Sequence, residues 1–380
     1  MSASIEKKSA AVIGGGPAGL IAAETLARAG MAVTVYDRMP SLGRKFLLAG
    51  RGGLNLTHSE ELPAFLTRYG EIAPLLHTAI ENYPPSALRA WCEDLGPLTF
   101  VGSSGRVFPR SFKTSPLLRV WLRRLAELHV EFVPRHDWLG WTEAGDLRFH
   151  NAGKDVSARP DVTVLALGGA SWPRLGSDAS WTTPLEARGV RVAPLRPSNC
   201  GFNVTWSEKF RSFEGTPLKT LAINFGGRTV RGEAMVTRDG LEGGAIYSLS
   251  APLRSAIDAK GHATIHLDLQ PEVPVATLAE KLNAPRGKQS LSNVLRKVAS
   301  LPPVATGLLH EAAISFGKSL SALKPDDLAA LIKAVPIRLT GMQPIEGAIS
   351  SAGGIAFDEL DADFMLIKCP GVFTAGEMLD

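Results

Sequence analysis

Three glycines in the pattern Gly14-x-Gly16-x-x-Gly19 and a carboxylate at Asp37 are the residues of this sequence whose types and spacing point most directly to chemistry. That chemistry is the holding of a dinucleotide. Gly14 allows a tight turn, Gly16 lets the backbone come close to a pyrophosphate, and Gly19 lets the next helix pack on the preceding strand. The loop Gly14, Gly15, Gly16, Pro17, Ala18, Gly19 opens a helix whose unpaired N–H groups and partial positive charge would face the phosphates. Asp37 follows Gly14 by 23 positions, close to the expected spacing of about 20, and is placed to accept hydrogen bonds from an adenosine ribose. A carboxylate there repels a 2′-phosphate, which favours FAD or NAD over NADP. Both remain open on these residues alone.

The elements that must position them are legible beside them. An apolar run from Ala11 to Ile13 predicts a strand, Leu20 to Arg28 an Ala-rich helix, and Val33 to Asp37 a second strand. Asp161 to Ala170 reads as a fully apolar central strand that runs into Gly168-Gly169, and ligands of open α/β sheets lie at such carboxyl ends. Between these lie a glycine-rich loop with Arg44, Lys45 and Arg51, a helix over Ser86–Leu95, and a hairpin-like turn over Phe100–Pro109. The loop suits either close passage along a diphosphate or an exposed surface. A basic helix follows Thr114, with Arg119, Arg123 and Arg124 mostly on its polar side, where a solvated face is the simpler reading. Val130–Val133 reads as a strand and the following residues as a β-meander. From about residue 190 the texture turns to short alternating segments, and residues 275–334 look helical between prolines.

The fold class expected is therefore α/β: a discontinuous Rossmann-like dinucleotide-binding domain, residues 1–190 plus 340–380, with a β-rich insert at 191–270 and a helical insert at 271–339. At 380 residues the chain exceeds one compact core. Its formal charge of +4 is too small over this length to argue for nucleic acid, so a small-molecule substrate is expected and a nucleic acid partner is not. Cys92, Cys200 and Cys369 lie far apart without metal-ligand spacing, which excludes a paired-cysteine redox centre and fits a reducing, cytoplasmic setting. No apolar stretch reaches the ~18 residues of a membrane span. None of the 8 histidines sits in a triad or metal spacing, so no catalytic acid, base or metal ligand is assigned. Nothing in the sequence assigns an oligomeric state.

Several segments together resemble the YhiN/BaiN-like bacterial flavoproteins of the two-dinucleotide-binding-domain class. They are Val12–Asp37, Gly43-Arg44-Lys45 with 50–55, Gly105–Pro109, Leu165–Pro173, Gly232–Gly240 with Gly243-Gly244, Ser350–Ile355 and Gly376–Asp380. The resemblance implies FAD. It places the pyrophosphate on Gly14–Gly19, the adenosine ribose on Asp37, the diphosphate near Arg44 and Lys45, and the adenine by Val133. Gly376 and Glu377 would close over the ribityl chain, with Arg38, Asn55, Ala166 and Gly168 also along the cofactor. The chain departs from the family at Gly53-Leu54-Asn55, where Arg-Cys-Asn is usual, and at Thr237-Arg238, where Thr-His is usual. The family also continues past the position of Asp380 into a helix facing the flavin, so a truncated chain is expected. The function implied is an FAD-dependent oxidoreductase that passes hydride from a transiently bound NAD(P)H to a small organic acceptor, a conjugated carbonyl compound being one candidate. The alternatives are a flavoprotein acting on or binding RNA, supported by Arg106–Arg124, and a flavin-binding sensor without turnover.

Overall fold

The computed structural model describes residues 7–49, 53–70, 73–285 and 287–380. Gly50, Arg51 and Gly52 of the glycine-rich loop lie outside the described residues. The chain forms two compact units, Met1–Arg196 with Ala352–Asp380, and Pro197–Ser351.

The first unit is built on a five-stranded parallel sheet. Strand β1 (Ser9–Ile13) leads through the glycine turn into helix α1 (Pro17–Arg28), and strand β2 (Ala32–Asp37) follows. Across the sheet the strands run Val372–Thr374, Val162–Leu165, β1, β2, Glu131–Pro134, and every neighbouring pair is parallel. The unbroken apolar run in β1 has a simple cause, since successive side chains of a strand point to opposite faces and both faces here are covered. Ala10 and Val12 join a core with Leu20 and Ala23 of α1 and with Leu117, Trp121 and Leu125 of the helix Thr114–Glu127. Ala11 and Ile13 join a second core with Trp138, Leu147 and Phe149. Those three residues belong to an antiparallel meander over Asp137–Ala158. Helices thus cover one face and the meander the other.

The second unit is organised differently. Seven antiparallel-paired strands run in the order Val335–Leu339, Ala263–Asp268, Pro217–Phe225, Arg228–Thr237, Gly240–Glu242, Phe202–Asn203, Gly341–Met342. The two outermost strands are separated in sequence only by Thr340, so the sheet curls round upon itself. The helices Val275–Asn283, Leu291–Val298, Pro303–Ser315 and Pro325–Lys333 share one continuous apolar cluster with these strands.

The three cysteines are free and buried. Burial pushes the Cys92 thiol up to about 11 and raises Cys200 and Cys369 in the same direction, which keeps all three in the unreactive thiol form. No helix among the described residues is long and apolar enough to cross a membrane.

Candidate dinucleotide site

The site lies at the carboxyl ends of β1, β2 and the strand Val162–Leu165. The turn between β1 and α1 requires its glycines for separate reasons. Gly14 has φ +107°, and a Cβ there would sit 2.2 Å from the Ala166 carbonyl oxygen. A Cβ on Gly19 would sit 1.8 Å from the Gly14 carbonyl oxygen, so only glycine lets α1 begin this close to the strand. Gly16 is different: a Cβ there would meet nothing within 4 Å. Its missing side chain leaves open space in front of the N-terminus of α1, where Pro17 occupies a position without an N–H to satisfy.

Asp37 ends β2 and holds this turn. Its Oδ2 accepts from the Gly15 N–H at 2.7 Å and its Oδ1 from the Met39 N–H at 2.7 Å. Each oxygen keeps a further lone pair for a ligand hydroxyl. Burial raises the Asp37 carboxyl above its ordinary value, against the two backbone bonds and the charges of Arg38 and Arg44. The cleft beside it is lined by Gly14, Gly15, Gly16, Arg38, Arg44 and Lys45 together with Ala166, Gly168, Ser177 and Trp181. Trp181 donates its indole N–H to the Gly168 carbonyl at 2.8 Å and fixes that wall.

Lys45 stands in helix α2 (Arg44–Ala49), and its Nζ donates to Glu377 Oε2 and to Ser171 Oγ, both at 2.7 Å. Residues 45 and 377 are 332 positions apart, so this pair brings the end of the chain to the opening motif. Gly376 packs against α1 so closely that a Cβ on it would lie 2.5 Å from Ala18 Cβ. Arg38 is committed to protein carboxylates, bonding Asp178 and lying 3.4 Å from Asp137, and it closes one side of the cleft. Arg44 bonds Ser41 at 3.1 Å.

Val133 pairs in the edge strand of the sheet with Tyr36, which lines the cleft. Asn55 lines a separate pocket with Phe65, Tyr83 and Leu88. Sequence reasoning passed over Ser177, whose hydroxyl is buried in the cleft wall without a hydrogen-bond partner among the described residues and whose side chain would contact a Cβ placed on Gly168 at 3.3 Å. A buried hydroxyl left unbonded calls for a ligand atom or water. With the open space at Gly16, the spare lone pairs of Asp37 and the Lys45 ammonium, the cleft fits a diphosphate-bearing, ribose-bearing cofactor such as FAD. In the second unit, Thr237 accepts from Gln343 Nε2 at 3.0 Å.

The profile of the HI0933-like protein Rossmann domain matches residues 8–380. The chain belongs to this family. Membership in this family agrees with the resemblance drawn from the sequence and with the class expected there, an FAD-dependent oxidoreductase. A ribosomal RNA dihydrouridine synthase of Escherichia coli (strain K12) is 24% identical over 99% of this HI0933-like chain and 92% of its own length. A protein of the same name from Haemophilus influenzae (strain ATCC 51907 / DSM 11121 / KW20 / Rd) is 24% identical over 97% and 91%. Among solved structures, the open conformation of a flavocytochrome c3 fumarate reductase is 14% identical, covers 99% of this chain and 73% of its own, and has a TM-score of 0.52, a likeness of fold. The relatives' names correct one expectation. The modest charge led to a small-molecule partner with nucleic acid unlikely, yet both relatives are named for action on ribosomal RNA. Net charge averaged over a whole chain hides a local basic surface.

Asp37→Ala should weaken FAD binding by roughly 10- to 150-fold, the loss of a charge-assisted hydrogen bond worth about 1.5–3 kcal/mol. Titration of the ligand-free protein with FAD, followed by flavin fluorescence, measures it. An unchanged affinity would remove Asp37 from the site.

Proposed function

We propose that this protein is an FAD-dependent reductase that converts uridine in ribosomal RNA to dihydrouridine. The observation that carries the flavin half is the cleft in which Gly16, Asp37, Lys45 and Ser177 face one space. The RNA half is supported by the two relatives, each similar over nearly the whole chain. Uracil is a conjugated carbonyl acceptor, because its C5=C6 double bond is conjugated with the C4 carbonyl, but here it is part of an RNA and not the small molecule that the resemblance implied.

FAD, when bound, supplies the hydride chemistry that amino-acid side chains lack. The reaction adds one hydride and one proton across C5=C6, and the two electrons come from NADH or NADPH visiting the site transiently. The residues of this chain bind and orient. The N-terminus of α1 and the open side of Gly16 receive the pyrophosphate, and Asp37 accepts from the adenosine ribose. Lys45, held by Glu377 and Ser171, places a positive charge beside the cofactor.

Anaerobic mixing with NADH and then NADPH should bleach the flavin absorbance with at least one of them. Protein-free ribosomal RNA should then restore it, and nucleoside mass analysis should show uridine carrying two added hydrogens. A reduced flavin that persists beside the RNA, with no dihydrouridine formed, would sink the proposal.

A further inference from the structure

The hairpin formed by Thr99–Val101 and Arg106–Pro109 carries a surface that the cleft does not use. Alternation along the second strand buries Val107 and Pro109 and turns Arg106 and Phe108 the other way. The register sets Phe100 directly opposite Phe108, with ring centroids 5.8 Å apart and planes at 28°. Phe112 completes the group, edge-on to Phe100 at 5.0 Å and tilted to Phe108 at 5.5 Å. Three phenylalanines in mutual contact would ordinarily be core, yet Phe112 remains 48% exposed. It also holds φ 56°, a left-handed conformation unfavourable for a bulky side chain. Its N–H donates to the Pro109 carbonyl at 2.8 Å and its carbonyl accepts from Leu54 at 2.9 Å, which fixes the backbone there.

Three cations lie along this segment. Arg106, Arg110 and Lys113 are exposed, and none of them is in an ion pair among the described residues. Glu60 is paired with Arg68 and Glu93 with Arg89. Exposed aromatic rings ringed by unpaired cations are the means by which single-stranded RNA is gripped. Bases stack on the rings and phosphates meet the cations.

We infer that this hairpin face binds a single-stranded stretch of the RNA substrate, with Phe112 stacking on a base and Arg106, Arg110 and Lys113 contacting phosphates. The inference rests on the RNA reading above and names the surface that would serve it.

The test uses the FAD-loaded full chain and a fluorescent, uridine-rich single strand of roughly 12 nucleotides, with binding followed by anisotropy over a range of salt. The triple variant R106A/R110A/K113A should weaken binding and reduce the slope of log affinity against log salt by about 2, near 0.7 for each phosphate no longer neutralised. Phe112→Leu keeps the apolar bulk but removes the π face, and should weaken binding roughly 5- to 100-fold at unchanged salt slope. Flavin content and the rate of flavin bleaching by NAD(P)H should match the wild type in both variants. Wild-type binding that neither variant alters overturns this surface while leaving the RNA reading intact. A wild type that does not bind the strand, or binds only anionic phosphatidylglycerol vesicles, overturns both.

Discussion

Gly16→Ala should make the ligand-free protein slightly more stable and deprive it of its flavin. The backbone at Gly16 has φ −81° and ψ −178°, which alanine adopts without strain. The added Cβ meets no atom of the described residues within 4 Å. Restricting the unfolded chain at such a position stabilises by about 0.4–1 kcal/mol. The same methyl group occupies the space in which a pyrophosphate would approach the turn, so FAD affinity should fall at least tenfold, or about 1.4 kcal/mol. Gly19→Ala is the contrasting case. Its Cβ would sit 1.8 Å from the Gly14 carbonyl oxygen, so α1 must move away from the strand and stability should fall together with flavin binding. Thermal unfolding of the flavin-free proteins and FAD titrations separate the two. Equal flavin affinity in Gly16→Ala and wild type would show that no cofactor approaches this turn.

Glu24→Ala should be the most damaging single change away from the site. Glu24 lies in α1 with its side chain 4% exposed. Its Oε2 accepts from the Trp121 indole at 2.8 Å and the Trp91 indole at 3.2 Å. Its Oε1 accepts from Arg28 at 2.9 Å and from Arg124 at 3.4 Å. One carboxylate thus ties the dinucleotide helix to the helices Pro85–Asp94 and Thr114–Glu127. Its removal strands two indole N–H groups, at about 1–3 kcal/mol each, while Arg124 keeps its pairing with Asp94 at 2.9 Å. Glu24→Gln keeps an acceptor and the volume, and should lose less. Burial opposes ionisation of Glu24, but the indole and arginine hydrogen bonds outweigh it and hold the carboxyl below the ordinary glutamate value. The sign follows directly. The folded pKa is the lower one, so the contribution is complete above the ordinary glutamate pKa and is lost as pH falls through the lowered value. Urea unfolding at stepped acid pH should show this loss in the wild type and a flatter profile in Glu24→Gln. Identical profiles would mean that Glu24 carries no such coupling.

The parts of the fold that were legible in the sequence are those whose cause is local. The glycine spacing, the apolar run of β1 and the acid closing β2 lie within about two dozen residues, and each follows from the turn that they share. The Phe100–Pro109 turn and the helix after Thr114 were visible for the same reason. Contacts between distant positions left no comparable trace. Lys45 and Glu377 were each marked as lying along a cofactor, but nothing in either neighbourhood shows that they bond each other. Nothing beside Glu24 in the sequence marks it, because its partners Trp91 and Trp121 come from two other helices. Ser177 sits in a segment without periodicity, and only its buried, unbonded hydroxyl marks it. Phe100, Phe108 and Phe112 are separated in the sequence, and strand register brings the first two opposite each other.

The sheet order also constrains how this protein is made. Val162–Leu165 pairs on one side with β1 and on the other with Val372–Thr374, so the nucleotide sheet gains its fifth strand only when residues 372–374 arrive. By then Pro197–Ser351, with its own continuous apolar cluster, has already been synthesised. The inserted unit can therefore reach its native packing first, while the last edge of the parallel sheet waits unpaired for a strand from far along the chain. Pairing across such a separation is slow even where its added loop-closure entropy is small. In a cell, the exposed edge at Val162–Leu165 is the stage of biogenesis at which a chaperone would matter most.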